Sequence, residues 1–303
     1  MVLEILFWFV AGLGVGFTIG LIPGIHPNTI VVLVPLFSSL QIEPVNLLVF
    51  LVSLGIANVF ADFIPSMLFG APDGDSGFAA LPGHRLLMAG KGYCAVRLAV
   101  VGGLGAIILV LLALPGLMLV VPWLYDASRP YIHLILIGFV TFMIASEQSA
   151  WKVFWAVAMF FLSGLVGIFA FQLPVDRWVV LFPILAGFFG IPQLLLQIRR
   201  GFTKLPEQNT SHKVLYDDDK TQNAVSVGLG TAGGIFAGFL PGIGSSEIAG
   251  FFTIKRNDDS FLTTFGSLAV SNAIMSFLAL WLIGNPRSGV AAKIGRASCR
   301  ERV

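Results

Sequence analysis

Long runs without a charge set the terms for this chain. Ile5 to Ile25 carries none, nor does Leu98 to Tyr125, and Val45 to Gly70 is interrupted only by Asp62. Crossing the hydrocarbon core takes about 20 apolar residues, and each run is long enough. Backbone at that depth has no water to bond and must satisfy itself internally. The expected fold is therefore all-α, a polytopic transmembrane protein with internal repeats and broken or re-entrant helices. Composition agrees. Of 303 residues, 56% are hydrophobic and 11% charged, against about 25% charged in a soluble domain. Lipid must be the solvent for much of the surface.

The ionisable residues mark the loops. Further spans are expected at Pro130–Ser146, Val153–Val175, Trp178–Ile198, Ala224–Leu240 and Ser260–Pro286. Pro115 is expected to kink the 98–125 run. Thr29–Leu40 is apolar but too short to cross upright, and fits a half-helix or re-entrant segment. Arg85, Lys91 and Arg97 share one loop; Arg199, Arg200, Lys204, Lys213 and Lys220 share another. Basic loops stay cytoplasmic, which puts the N-terminus inside if Thr29–Leu40 does not cross. The N-terminus lacks the basic start and small-residue cleavage site of a signal peptide, so the first span is expected to remain.

The chain divides accordingly into a first transmembrane half (1–198), a cytoplasmic polar linker (199–222) and the start of a second half (223–293). The last stretch, IGRASCRERV at 294–303, resembles the translated read-through of a sequencing adapter. It is expected to be foreign, so the natural sequence should break off near Lys293. The net charge of +2 gives no reason to expect nucleic acid as a partner. The two cysteines, Cys94 and Cys299, suggest neither a disulfide framework nor a metal site.

The most informative feature is internal similarity. GLGVGFTIGLIPGI at 12–25 matches GTAGGIFAGFLPGI at 230–243, pairing Gly12, Gly16, Gly20, Pro23, Gly24 and Ile25 with Gly230, Gly234, Gly238, Pro241, Gly242 and Ile243. A second match follows in the same order, from Asn58 to Ala80 and from Asn272 to Ala292. It pairs Asn58 with Asn272 and Gly70 and Pro72 with Gly284 and Pro286. Counting spans between equivalent points gives an even number and hence a parallel relation. The relation becomes inverted if 98–125 crosses twice or Thr29–Leu40 spans. Duplicated halves with paired Gly/Pro interruptions point to a secondary transporter, because a helix broken at depth frees N–H and C=O groups for an ion or an anion.

Candidate residues follow from that logic. After Pro23 and Gly24 come Ile25, His26 and Asn28; after Pro241 and Gly242 come Gly244, Ser245, Ser246 and Glu247. These polar tails either cap the next half-helix or meet substrate or ion directly. His26 titrates near neutral pH or is structural. Asp62 lies within an apolar span, where a carboxylate costs about 2.5–3.5 kcal/mol on insertion scales. Asn58 sits one turn earlier on the same face, and the two suit Na⁺ or H⁺; no other metal is expected. Asn272 is the repeat partner of Asn58. Asp73, Asp75 and Ser76 in APDGDSG either ligate a cation or form a solvated turn. The glycine ladders fit close helix packing. No HExxH, GxSxG, Walker A or paired-cysteine motif occurs, so neither a cofactor nor enzymatic activity is expected.

GLIPGIHPN, MLFGAPDGDSGFAALPGHRLLMAGKGYCAVRLAVVGG, GFLPGIGSSE and NAIMSFLALWLIG together resemble the large membrane subunit of the tripartite tricarboxylate transporters, most closely its divergent archaeal-type branch. The resemblance covers most of the chain up to Lys293. It implies a permease subunit of the cell membrane, a symporter driven by Na⁺ or H⁺ that carries carboxylates or related small organic anions. It also implies two protein partners, a small membrane subunit and an extracytoplasmic solute-binding protein. The loop APDGDSGFAALPGH departs from the longer bacterial form. Two other readings stand beside this one: an intramembrane enzyme using Asp62 and Asp75, and an accessory membrane subunit without a site.

Overall fold

The computed structural model describes residues 2–22, 42–68, 77–175, 180, 183–184, 187–188, 191–200, 205–210, 220–239, 244–252 and 257–285. Every described regular element is helical: α1 (Val2–Gly20), α2 (Pro44–Leu68), α3 (Gly77–Met88), α4 (Gly92–Ser128), α5 (Ile132–Ala145), α6 (Ala150–Phe171), α7 (Ile191–Arg200), α8 (Lys220–Phe239), α9 (Ser245–Phe252) and α10 (Asp258–Ile283). A single 3₁₀ turn, Arg129–Tyr131, links α4 to α5. Among the described residues, five stretches are long and apolar enough to cross a membrane: Val2–Gly20, Pro44–Leu68, Gly92–Ala145, Ala150–Phe171 and Asp258–Ile283. The expected kink at Pro115 does not interrupt α4, which runs on through Pro115 and Pro122. Thr29–Leu40, the loop 71–76 and the terminal stretch 294–303 lie outside the described residues.

The helix ends are set by local chemistry. Asn257 caps α10, its side chain accepting from Ser260 N at 3.1 Å, with Asp258 and Asp259 favourably placed in the first turn. Gly284 closes the other end at φ 64°, its N–H reaching Leu280 O. Helix α3 ends likewise at Gly90, φ 76°. There Lys91 N bonds Leu86 O and Gly90 N bonds Leu87 O.

That turn receives the linker between the halves. Gln208 Nε2 donates to Leu87 O, Gly92 N donates to Gln208 Oε1, and Asn209 N donates to Gly90 O. Nearby, Arg85 grips Asp258 through two hydrogen bonds of 3.0 and 2.5 Å. The carboxylate raises the guanidinium pKa above its usual value, chiefly through these bonds. The end of α3, the linker and the start of α10 therefore share one face of the molecule.

The glycine ladders are close-packing seams. A Cβ at Gly12 would lie 2.5 Å from Phe50 O, one at Gly16 2.8 Å from Leu54 Cα, and one at Gly20 2.6 Å from Asn58 O. As numbers rise along α1 they rise along α2, so these neighbours are parallel. Ile22 and Ile42 thus lie at opposite ends of the pair. Helix α2 ends at Met67, which packs on Gly83 of α3, so Val2 stands at the end away from the basic loops. The expectation that the N-terminus lies with those loops is conditional on Thr29–Leu40 not crossing, and the parallel run of α1 and α2 places Val2 at the other end.

The seam recurs in α8 and α10. Gly230 faces Thr264 O and Ser267, Gly234 faces Leu268 O and Ser271, and Gly238 faces Met275 and Asn272 O. Residue numbers again rise together, so α8 and α10 are parallel.

Buried side chains gather where α2, α4, α9 and α10 meet, around Phe63, Met67, Leu98, Phe261 and Phe265. Helix α6, by contrast, exposes Trp151, Phe154, Phe161 and Phe169. Trp151 stacks on Phe154 at 5.7 Å, as suits a membrane-interface aromatic. A Cβ at Gly167 of α6 would meet nothing within 4 Å. Gly167→Ala should therefore stabilise the helix by about 0.5–1 kcal/mol, read as an unchanged or higher melting temperature in detergent.

Candidate functional site

Two asparagines stand at the middle of the bundle. Asn58 lies within α2 (Pro44–Leu68) and Asn272 within α10 (Asp258–Ile283), each near the centre of its helix. These helices cross in opposite directions. Gly55 faces Phe277, Phe60 and Val270 flank Gly103 together, and Phe63 meets Phe265 edge-on at 6.1 Å. Numbers fall along α10 as they rise along α2, and the contacts bring residue 58 level with residue 272.

The broken helices end at the same depth. Gly20, near the end of α1, packs on Asn58: a Cβ there would come within 2.6 Å of its carbonyl oxygen and 3.1 Å of its Nδ2. Gly238, near the end of α8, packs on Met275, with Asn272 O at 3.4 Å from a Cβ. The small glycines let each helix end approach an asparagine's main chain closely.

Asn58 is only 4% exposed, and its Nδ2 has no hydrogen-bond partner among the described residues. A buried donor left unmade costs about 1–3 kcal/mol, so it marks a place where a ligand oxygen would be welcome. Asn272 is half-buried, and its main-chain oxygen accepts from Ser276 Oγ at 2.9 Å. Asp62, one turn beyond Asn58, is half-buried and accepts from Ser66 Oγ at 2.9 Å.

Helix α9 begins inside the bundle. Ser245 is 1% exposed, and Ile248 N reaches Gly244 O. Ile248 packs with Phe239 and Met275, while Ala249 packs with Phe63 and Phe265. The start of α9 therefore lies by the end of α8.

The sequence matches the tripartite tricarboxylate transporter TctA family over residues 6–299. The chain belongs to the TctA family. An uncharacterized protein of the archaeon Methanocaldococcus jannaschii is 33% identical over 300 residues, covering 95% of this chain and 72% of the relative. No solved structure matches. TctA is a transporter family, and this member is a multi-pass helical membrane protein, in keeping with its apolar helices.

Of the residues expected at a TctA site from sequence, Asn58, Asp62, Gly244, Ser245 and Asn272 fall among those described, and all lie in or beside the central helices. Ser246 and Glu247 belong to the first turn of α9. Pro23, Gly24, Ile25, His26, Asn28, Asp73, Asp75, Ser76, Pro241 and Gly242 lie outside the described residues. Sequence reasoning missed Thr231, whose buried hydroxyl also lacks a partner among the described residues; nothing in its surroundings in the sequence singles it out. It read Arg85 as a topology marker, and only the fold shows its grip on Asp258. Among the described residues no group of three or more metal-ligating side chains occurs.

Proposed function

We propose that this TctA-family chain is the permease subunit of a secondary transporter in the cell membrane, moving small organic anions of the carboxylate type with Na⁺ or H⁺. The observation that carries this reading is the meeting of the ends of α1 and α8 with two mid-helix asparagines, with the Asn58 Nδ2 buried and without a partner among the described residues. In this reading the Asn58 amide receives the anion, with the start of α9 packed nearby. Asp62, a charge kept within a transmembrane helix, holds the coupling cation together with Asn58. The residues after Pro23 and after Pro241 complete the site, and those around Asp73, Asp75 and Ser76 lie on the path to it. The two transmembrane units join through the linker 199–222. A small membrane subunit and an extracytoplasmic solute-binding protein are its proposed partners, in keeping with the family's tripartite name.

The test is uptake by the full-length protein in proteoliposomes, across a panel of carboxylates, with and without Na⁺ and pH gradients. At least one carboxylate should accumulate only with a gradient. Asp62→Asn should then abolish gradient-driven accumulation while leaving exchange of substrate at equal concentrations. Undiminished dependence on the gradient in Asp62→Asn would remove Asp62 from the coupling site. No uptake of any carboxylate, with or without the partner subunits, would defeat the permease reading.

A further inference from the structure

We infer that Asn58 and Asn272 are the two halves of one anion site, set on a pseudo-twofold axis that lies in the membrane plane and relates α1–α2 to α8–α10. The first support is contact for contact. Gly12 meets Phe50 and Ser53, and Gly230 meets their counterparts Thr264 and Ser267. Gly16 and Gly234 meet Leu54 and Leu268, while Gly20 and Gly238 meet Asn58 with Ala61 and Asn272 with Met275. The two sequence matches are separated by loops of different length, yet in space they keep one register.

The second support is direction. Helices α2 and α10 are counterparts and cross antiparallel, so the operation that exchanges them is a rotation about an axis perpendicular to both. For helices that span the bilayer, that axis lies in its plane. The contacts across the crossing come in mirrored sets. Gly55 faces Phe277; their counterparts, Ala269 and Phe63, share one buried cluster. Phe63 meets Phe265, and their counterparts, Phe277 and Leu51, share another. Residue 58 and residue 272 are the counterpart pair that this register brings level, and so the pair beside the axis. The even span count expects a parallel relation and leaves an inverted one open; the antiparallel crossing of α2 and α10 favours the inverted one.

The chemistry gives the ligand class. An amide Nδ2 without an acceptor takes an oxygen, and two amides about one axis offer donors to a carboxylate from two sides. This part rests on the permease reading; the axis does not.

Two measurements on the full-length protein, in a background with Cys94 and every other cysteine replaced by serine, separate the claims. In native membranes a short bifunctional thiosulfonate should link Gly55→Cys with Phe277→Cys and Phe63→Cys with Ala269→Cys. It should not link Gly55→Cys with Ala269→Cys, the pair that same-direction packing would bring level. Linkage of 55 to 269 in place of the mirrored pairs would overturn the axis. In detergent, citrate or succinate should raise the melting temperature of the parent, and Asn58→Ala and Asn272→Ala should each raise the half-saturating concentration about tenfold or more. Loss in one variant alone would overturn the shared site. No stabilisation of the parent by either probe would overturn the carboxylate assignment, whatever the linkage result.

Discussion

Gly16→Leu is expected to leave almost no folded protein in the membrane. A Cβ at Gly16 would fall 2.8 Å from Leu54 Cα and closer still to Leu54 O. The obstacle is main chain, which cannot rotate aside, so α1 and α2 must separate along the whole seam. Overpacking a core costs about 1–3 kcal/mol when side chains can adjust; here the cost should reach or exceed the top of that range. Such a loss is a large share of a net stability of about 5–15 kcal/mol. Gly234→Leu meets Leu268 O and, at 2.9 Å, Asn272 N, and should fail alike. The check is the monodisperse yield after detergent extraction, with Gly14→Leu, which meets nothing within 4 Å, as the control. Parent-level yield of Gly16→Leu would show that the seam is not close packed.

Asn58→Ala should cut carboxylate uptake about a hundredfold or more, equivalent to about 2.7 kcal/mol, while the melting temperature holds or rises. The two readouts are opposed for a physical reason. A structural asparagine stabilises through its hydrogen bonds, so its removal lowers stability. The Asn58 Nδ2 makes none, and deleting a buried, unsatisfied donor removes a cost of about 1–3 kcal/mol against the small void that alanine leaves. Uptake at the parent level, or a clear fall in melting temperature with proportionate loss of uptake, would assign the residue to packing.

Much of the architecture is legible in the chain because lipid is an unforgiving solvent. Charge-free runs have few alternatives to helix, and the glycine repeats announce seams that the fold displays atom against atom. Direction was harder to read. The segment Thr29–Leu40 is near the length at which crossing and re-entry compete, and one crossing decides both the side of Val2 and the relation of the halves. The asparagines at 58 and 272 could be found because the repeat pairs them. That the Asn58 Nδ2 has no partner among the described residues could not be read from its neighbours, since it depends on which helices the fold packs around it. Arg85 and Asp258 show the same limit: the two charges each have an ordinary local explanation, and only the fold brings them within 3 Å.

The shared direction of α1 and α2 bears on how the protein is made. Adjacent antiparallel helices can enter the bilayer as a pre-formed hairpin, but two neighbours pointing the same way cannot. Helix α1 must wait in lipid or at the insertion machinery, its glycine face uncovered, until α2 emerges. The same delay recurs for α8 and α10. Assembly of each pair is therefore a late event in biogenesis, and the interval before it is when a damaged seam exposes the chain to quality-control proteolysis.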